Sequence, residues 1–471
     1  MRTELGNPKL AAYAPRLEGL RVLVLGLGKS GLSAAKLLAS KGARILAADQ
    51  SRGRVVEEAA AAVRALGGEA RTGGHARELA GQADLVVLSP GVPVSVPVVA
   101  EARRLGIPVW SEVELASRFC RGRVVGVTGS NGKSTTTSMI GTVLRIAGIP
   151  GGTGGNLGTP FTDLLAEDGP AAVHAVELSS FQLETIEAFR AVVAVVVNLS
   201  PDHMDRYPSF DAYARAKARL LETQRAEDAA VLNLDDPESG RLSGSVRGRG
   251  YRFSTRQEVE AGAFVRSGTI VLRADGGDAE ILAASELPVP GEHNVANAAA
   301  AAMACRLCGC EPEAIARGLR AFRALPHRLE FVASVDGVAF YNDSKATNLD
   351  AAARALRSFP AGKVHVILGG KDKGADWPAL GPVVRERARR VLLVGEAAPL
   401  IRSGLQGCVP LIDCGTVETA VRRGFEEAAP GDVVVLAPGC ASFDQYENFE
   451  ERGRDFRHAV EELVPGGDHH A

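Results

Sequence analysis

Between Val124 and Thr137 the chain reads VVGVTGSNGKSTTT, a stretch that holds the residue types needed to grip a phosphate chain. Gly129 and Gly132 remove Cβ atoms from a turn, so the N–H groups of Ser130, Asn131 and a helix opening at Lys133 can converge on one anion. Lys133 adds a full charge, and Ser134 or Thr135 offers a hydroxyl to a magnesium ion. The β-branched run Val124, Val125, Val127 ahead of the turn predicts a buried strand. Strict P-loop spacing asks for glycine where Val127 stands, and Gly126 and Gly129 flank that place instead. A turn that binds nothing would leave the Gly-Lys-Ser-Thr run after a strand without a purpose.

Two further groups belong to the same chemistry. Glu177 ends the strand-like run AVELSS, and His203 follows the next one in VVNLSPDHMDRY, crowded by Asp202 and Asp205. If both runs lie beside the cradle strand, a carboxylate and an imidazole come near the triphosphate end, where they can hold a divalent cation. Lys217, in YARAKARLL, falls by helical period on a solvated basic face. Nearer the start, Arg21 opens a strand that runs into Gly26, Gly28 and Gly31, and Asp49 closes the next apolar run, ILAAD. That spacing predicts a dinucleotide-type turn, although any nucleoside diphosphate can use the same helix terminus. The turn after Leu85, through Ser89 to Val92, is expected to border the same pocket.

These residues need elements to carry them, and the chain supplies alternating strands and helices throughout. The expected fold is α/β in three domains: a Rossmann-like N-terminal domain (1–111), a P-loop-type central ATPase domain (112–324) and an α/β C-terminal domain (325–471). Tyr251 to Ala274 reads as an antiparallel ribbon, and HRLEFVASVDGVAFYNDS as a hairpin. VHVILGG, VLLVGE and VVVLAPG supply further strands that end in glycine. A net charge of −2 excludes a general attraction to nucleic acid or membrane, so an anionic ligand must be met locally. No apolar run has the length of a membrane span and no signal-peptide layout opens the chain, so the expected location is the cytoplasm, without membrane insertion. The 7 cysteines show no framework spacing. Cys305, Cys308 and Cys310 read as small buried thiols rather than zinc ligands, and His469 and His470 as a frayed tail.

Taken in order, GVTGSNGKST, GNLG (Gly155–Gly158), ELSSFQLE, DHMDRY, YARAKARL, GEHNVANAAAA, HRLE, YNDSKATN, GGKDKG and CASFDQYENFEERG resemble the Mur ligases over nearly the whole chain. Within that family they are most similar to the branch that adds D-glutamate to UDP-N-acetylmuramoyl-L-alanine. The resemblance implies an ATP-dependent acid–amino-acid ligase of peptidoglycan precursor synthesis, working through an acyl phosphate and probing no nucleic acid, and expected to be monomeric. It implies that Lys29, Ser30, Asp49 and Gly91 hold the UDP, with Asn156 and His203 at the muramoyl-alanine end. The loop Gly129, Ser130, Asn131, Gly132, Lys133, Ser134, Thr135 would hold ATP phosphates, and Asn294 and Asn297 would read adenine. Arg328 and Asp343 would reach the ATP phosphates and ribose.

The resemblance further assigns magnesium to Ser134, Glu177 and His203, together with Lys217 carbamylated by CO2. The D-glutamate pocket would comprise Lys345, Thr347, Lys373, Ser442, Phe443 and Phe449, and the catalytic groups Lys133, His203, Lys217 and Arg328. No Asp-Asn-Pro-Arg run, the mark of the relative that adds a diamino acid, is present. Another Mur-type ligase or a folylpolyglutamate-synthase-like enzyme is the nearest alternative. Outside the class stand a nicotinamide dehydrogenase built on the first domain and a P-loop regulatory switch.

Overall fold

The structure, a computed structural model, describes residues 15–464 except Asp205 and Asp275. His469 and His470 therefore lie outside the described residues, as does Asp205. Runs of Val, Leu and Ala that are apolar on both faces need helices on either side, and the described residues build three sheets of this kind. They divide into two compact units, one running to Ser285 and including Ala296–Ala321, the other Glu286–Val295 with Phe322 onward.

In the first unit, five parallel strands lie in the order Glu69–Thr72, Arg44–Asp49, Arg21–Leu25, Leu85–Leu88, Val109–Ser111. Strand order reverses at Arg21–Leu25, which opens a crevice at the carboxyl ends there. Gly26, at φ 88°, turns the chain out of the strand. A Cβ on Gly31 would stand 1.8 Å from the Gly26 carbonyl oxygen, so only glycine lets the helix Lys29–Ser40 lie this close to the turn. The Rossmann-like expectation holds here.

The same unit contains a sheet of nine strands among the described residues. Thr153–Gly155, Val173–Glu177, Arg123–Thr128, Val193–Val196, Ala229–Asn233, Arg249–Ser254 and Gly262–Arg266 run parallel, and Thr269–Ala274 and Gly277–Ala283 add an antiparallel edge. This corrects the ribbon reading of Tyr251–Ala274. Arg249–Ser254 extends the parallel sheet, with Tyr251 opposite Val231, and only the later strands form antiparallel pairs. Exposure falls along this strand, from the exposed Arg249 and Gly250 to the buried Phe253 and Ser254.

In the second unit the order is Glu330–Val335, Val338–Asn342, Val433–Gly439, Val364–Gly369, Ala388–Val394, Leu411–Gly415. The first two form the expected antiparallel hairpin, and the remaining pairs are parallel. Val364–Gly369 and Val433–Gly439 are buried at every residue, which explains their unbroken apolar runs. No helix among the described residues is long and apolar enough to cross a membrane.

Candidate functional site

The strand Arg123–Thr128 feeds directly into the glycine turn, where Gly129 (φ 149°) and Gly132 (φ 82°) hold angles that side-chain-bearing residues rarely adopt. A Cβ on Gly132 would also meet Asn297 Oδ1 at 2.4 Å. The helix Lys133–Ile146 opens at Gly132 without a capping side chain, as an anion-binding terminus does. Lys133 folds its ammonium over the turn, donating to the carbonyls of Gly129 at 2.9 Å and Ser130 at 2.8 Å.

The loop is braced from behind by the segment after Val193–Val196. Asn198 donates through Nδ2 to the Asn131 carbonyl at 2.8 Å and accepts the Asn131 N–H on Oδ1 at 3.0 Å. The Ser130 N–H donates to the Asn198 carbonyl at 2.8 Å, and its hydroxyl donates to the Ser200 carbonyl at 2.8 Å and lies 2.9 Å from the Tyr213 hydroxyl. The N–H groups of Ser130 and Asn131 thus face Asn198 rather than a shared anion, a correction to the expected convergence. Gly132, Lys133, Ser134 and Thr135 form the open end of the cradle.

Glu177 ends the neighbouring strand, in register with Val127. Its carboxylate accepts hydrogen bonds from the Ser134 hydroxyl and, at 2.7 Å, from Asn156 Nδ2. Hydroxyl, carboxylate and amide oxygens make a hard donor set that suits magnesium. His203 adopts φ 57°, sits 4.9 Å from the Phe181 ring and places Nε2 3.6 Å from Asp202 Oδ2. It follows the strand on the cradle's other side, as expected.

Lys217 departs from the sequence reading. It is 2% exposed, not solvated, because the helix Phe210–Glu222 packs that face against the cradle. Its Nζ donates to the Gly129 carbonyl at 2.8 Å and lies 4.7 Å from the Tyr213 ring centroid. Burial, reinforced by the charge of Lys133, pulls its pKa well below the lysine range, against an opposing pull from Asp202 and Glu177. A lowered pKa raises the share of the uncharged, nucleophilic amine.

At the first sheet, Asp49 Oδ2 accepts the Leu27 N–H at 2.6 Å and Oδ1 the Ser51 N–H at 2.7 Å, so the carboxylate shapes the glycine turn. Lys29 and Ser30 start the helix at an extended Gly28, again with no capping side chain. The Gly91 turn is held by Arg206, whose guanidinium donates to the carbonyls of Pro90 at 3.2 Å and Val92 at 3.3 Å while stacking 3.6 Å over Phe181. The loop carrying His203 is thereby fastened to the nucleotide-type turn.

Asn294 and Asn297 share the helix Glu292–Leu307 and are both buried; Asn294 Nδ2 donates to the Pro290 carbonyl at 2.6 Å. In the second unit Arg328 stands between His327 (φ 63°) and Leu329 (φ 43°), a pair of left-handed residues that marks a strained, over-determined turn. Asp343 accepts the Leu329 N–H at 3.2 Å. Burial pushes its pKa up to about 7, against the opposing effects of that N–H and Arg328.

Lys345 sets its ammonium 3.7 Å from the Phe449 ring centroid, and the Thr347 N–H donates to the Lys345 carbonyl at 2.8 Å. Backbone bonds between Lys371 and Ala441 bring the loops of Lys373 and Ser442 side by side. Phe443 is 67% exposed and makes no ring contact with Phe449 among the described residues.

Sequence reasoning missed Asn198, Tyr213, Arg206 and Arg452. Arg452 is 1% exposed and donates to Ser344 Oγ at 3.0 Å, the Ser344 carbonyl at 2.9 Å and the carbonyls of Cys440 and Ala441 at 3.2 Å, tying the NDSK turn to the CASFD turn. The available signal was its place one helical turn past Asn448, on the face shared with the buried Phe456 and Ala459. Cys305, Cys308 and Cys310 are buried and free, as read. Cys120, Asp168 and His174 cluster at ligand spacing. However, His174 Nδ1 accepts the Gly152 N–H at 3.1 Å, which leaves Nε2 to carry the proton toward Asp168 Oδ1 at 3.2 Å, so the trio is a hydrogen-bonded packing cluster.

Three family models match the chain in sequence: a Mur ligase MurD-like N-terminal domain over residues 20–111, a Mur ligase middle domain over 127–305, and a Mur ligase glutamate ligase domain over 327–440. Curated proteins called UDP-N-acetylmuramoylalanine--D-glutamate ligase align along nearly full length. That of Acidobacterium capsulatum is 46% identical over 94% of this chain and 96% of its own, and that of Anaeromyxobacter dehalogenans 46% identical over 95% and 99%. Among solved structures, a pseudomurein peptide ligase type C from Methanothermus fervidus superposes with a TM-score of 0.61 at 19% identity, covering 95% of this chain and 100% of its own. MurC from Thermotoga maritima gives 0.59 at 18%, covering 94% and 100%, and both share the three-domain α/β fold. A phosphate cradle with a hydroxyl–carboxylate pair, a dinucleotide-type sheet before it and a third α/β sheet after it therefore have one common source: the chain belongs to the Mur ligase family.

Proposed function

We propose that this protein joins D-glutamate to UDP-N-acetylmuramoyl-L-alanine with ATP, in the cytoplasm and as a monomer, as a step of peptidoglycan precursor synthesis. The observation that carries the reading is the cluster at the cradle: Lys133 over the glycine turn, Ser134 and Asn156 on Glu177, and the buried amine of Lys217 behind them. The near-full-length similarity to D-glutamate ligases supports the choice of substrates.

Residues 1–111 take the UDP through Lys29, Ser30, Asp49 and Gly91, with Asn156 and His203 toward the muramoyl-alanine end. Residues 112–324 hold ATP on Gly129–Thr135, with Asn297 and, from the following unit, Asn294 reading adenine. Residues 325–471 bring Arg328 and Asp343 to the nucleotide and offer Lys345, Thr347, Lys373, Ser442, Phe443 and Phe449 to the amino acid. Ser134, Glu177 and His203 would hold magnesium, which when bound offsets phosphate charge.

An oxygen of the alanine carboxylate attacks the γ-phosphorus in line, the bond to the β-phosphate oxygen breaks, and ADP departs. Lys133 and Arg328 offset charge on the moving phosphoryl group. The D-glutamate nitrogen then attacks the acyl carbon, gives up a proton, and phosphate leaves with the bonding pair. Phosphorylation is needed because a carboxylate has no leaving group an amine can displace. The uncharged Nζ of Lys217 adds to CO2, forming an N–C bond and releasing a proton, and the resulting anionic carbamate supports a cation that an ammonium would repel.

Phosphate release measured with each substrate omitted in turn tests the proposal. Release should require ATP, UDP-N-acetylmuramoyl-L-alanine and D-glutamate together, and L-glutamate should not substitute. ATP turnover indifferent to the amino acid would instead establish the regulatory-switch reading.

A further inference from the structure

Close to His203 stands an arginine that the ligase reaction as described leaves without a task. Arg206 keeps 17% of its side chain exposed and spends its guanidinium on two partners at once. Nη1 donates to the Pro90 carbonyl at 3.2 Å and Nη2 to the Val92 carbonyl at 3.3 Å. The flat face of the same group lies 3.6 Å from the Phe181 ring centroid, and Glu184 stands 3.8 Å away as its counter-charge. Phe181 in turn meets the His203 ring edge-on at 4.9 Å and stacks on Tyr207 at 5.9 Å. The donors of this side chain thus hold the turn from Ser89 to Val92, and its face holds the ring on which His203 rests.

That turn is fixed from within as well. The Val92 N–H donates to the Ser89 carbonyl at 3.0 Å, and the Ser89 hydroxyl to the Gly26 carbonyl at 2.8 Å. Gly91 itself is exposed, its N–H has no acceptor among the described residues, and a Cβ on it would meet nothing within 4 Å. No described peptide bond is cis. In a planar trans peptide the carbonyl and the N–H point in opposite directions, so the bond from Arg206 to the Pro90 carbonyl turns the Gly91 N–H away from the guanidinium, to the open side of the turn. A cation on the carbonyl also polarises the peptide, which makes that N–H a stronger donor.

We propose that Arg206 is a positioning residue that sets the two ends of the nucleotide substrate in register. It aims the Gly91 N–H at the diphosphate and, through Phe181, holds the His203 ring at the muramoyl-alanine end. This deepens the reading of Gly91 and His203 as substrate contacts, and rests on it. Lysine does not replace it, because an ammonium has neither a fork for two carbonyls nor a flat face for the ring.

Two measurements on the full-length protein separate the ends: calorimetric binding of UDP alone, and steady-state kinetics with UDP-N-acetylmuramoyl-L-alanine, ATP and D-glutamate. Arg206→Ala should raise the Kd for UDP and the KM for the nucleotide substrate about 10- to 100-fold, the worth of one hydrogen bond to a charged group. It should lower kcat about tenfold through misplacement of the carboxylate and leave the KM for ATP within about twofold. Arg206→Lys should recover part of the UDP affinity and little of kcat. Phe181→Leu, which removes the ring and leaves the guanidinium on its carbonyls, should lower kcat with UDP affinity within about twofold of native. An Arg206→Ala protein that binds UDP as the native one does overturns the proposal, as does one that loses kcat with every KM unchanged, the mark of a smaller folded fraction. Phe181→Leu with native kcat overturns it too. If circular dichroism shows Arg206→Ala unfolded, Arg206→Lys with native UDP affinity and kcat gives the same refutation. A native protein that binds no UDP ends the substrate reading itself, and the role of Arg206 with it.

Discussion

Glu114 is the place where one substitution should do most damage to the first unit without touching any reacting group. Its carboxylate is fully buried and accepts four donors: the N–H groups of Glu187 at 2.9 Å, Ala188 at 3.0 Å and Phe189 at 2.8 Å, and Arg118 Nε at 2.6 Å. It therefore latches the helix that follows the first sheet to the chain entering the strand Val193–Val196. Glu114→Ala strands three N–H groups, of which that of Phe189 belongs to a buried residue and those of Glu187 and Ala188 to exposed ones; a buried N–H left unmatched costs about 1–3 kcal/mol, and water reaching the other two recovers part of their loss. Arg118 loses its nearest carboxylate but keeps Glu187 at 3.2 Å and the Trp110 ring at 4.1 Å, which limits the loss on the cation's side. The expected cost is about 4 kcal/mol, a large part of the roughly 5–15 kcal/mol typical of a folded chain. Urea unfolding followed by circular dichroism reads this as an earlier first transition. Arg118→Ala alone should cost about 2 kcal/mol, and the double variant about 1–2 kcal/mol less than the sum of the two, because the residues share one bond network. A loss under about 1 kcal/mol for Glu114→Ala, or strict additivity with Arg118→Ala, would refute the latch.

Lys217→Ala should lose activity by a factor of about 100 or more and regain part of it with added short carboxylic acids, checked in the phosphate-release assay; no loss, or no rescue, removes the carbamate. Gly31→Ala should destabilise the first sheet by roughly 2–3 kcal/mol and weaken UDP binding far more than ATP binding, since its Cβ would stand 1.8 Å from the Gly26 carbonyl oxygen. Thermal unfolding and separate titrations with the two nucleotides check it. For Asp343, the folded pKa of about 7 exceeds the ordinary 3.8, so the folded state keeps a proton that the unfolded chain releases. Stability from this group therefore falls as pH rises from about 4 to about 7 and stays level above. Asp343→Asn should raise the stability of the second unit at pH 8 by at most about 4 kcal/mol, with no gain at pH 4, and should impair turnover if the carboxyl meets ATP.

What the sequence made legible were features with local causes. A glycine turn between a β-branched run and Lys133 predicts a strand, a tight turn and a helix from neighbours alone, and each is present. Gly26 and Gly31 told of a tight strand-to-helix passage because the missing Cβ atoms are themselves the signal. The strands that lead to Glu177 and His203 were expected beside the cradle strand because consecutive strands in such a sheet tend to be neighbours, and those two do flank Arg123–Thr128. The ribbon reading went astray at Arg249–Ser254 because short, turn-rich runs report where strands break and carry no information about whether the neighbour runs parallel.

Lys217, Glu112 and Arg452 escaped for a deeper reason. Helical period says which residues share a face, and a lysine, a glutamate or an arginine on that face is read as solvated by type. Whether the face meets water depends on chain far away: Gly129 for Lys217, Gln182 for Glu112, Ser344 for Arg452. In all three the polar head is brought into the interior where a loop must keep one shape, and each head satisfies loop carbonyls or a fixed amide that apolar packing could not. Burial then alters the chemistry of the head itself. It pulls the Lys217 pKa well below the lysine range, pushes that of Glu112 up to about 7 and lowers that of Arg452 to about 10. The charged residues that composition counts as surface are thus the ones that fix the loops of this ligase, and the polar contacts holding a loop still also decide the proton state of the group beside it.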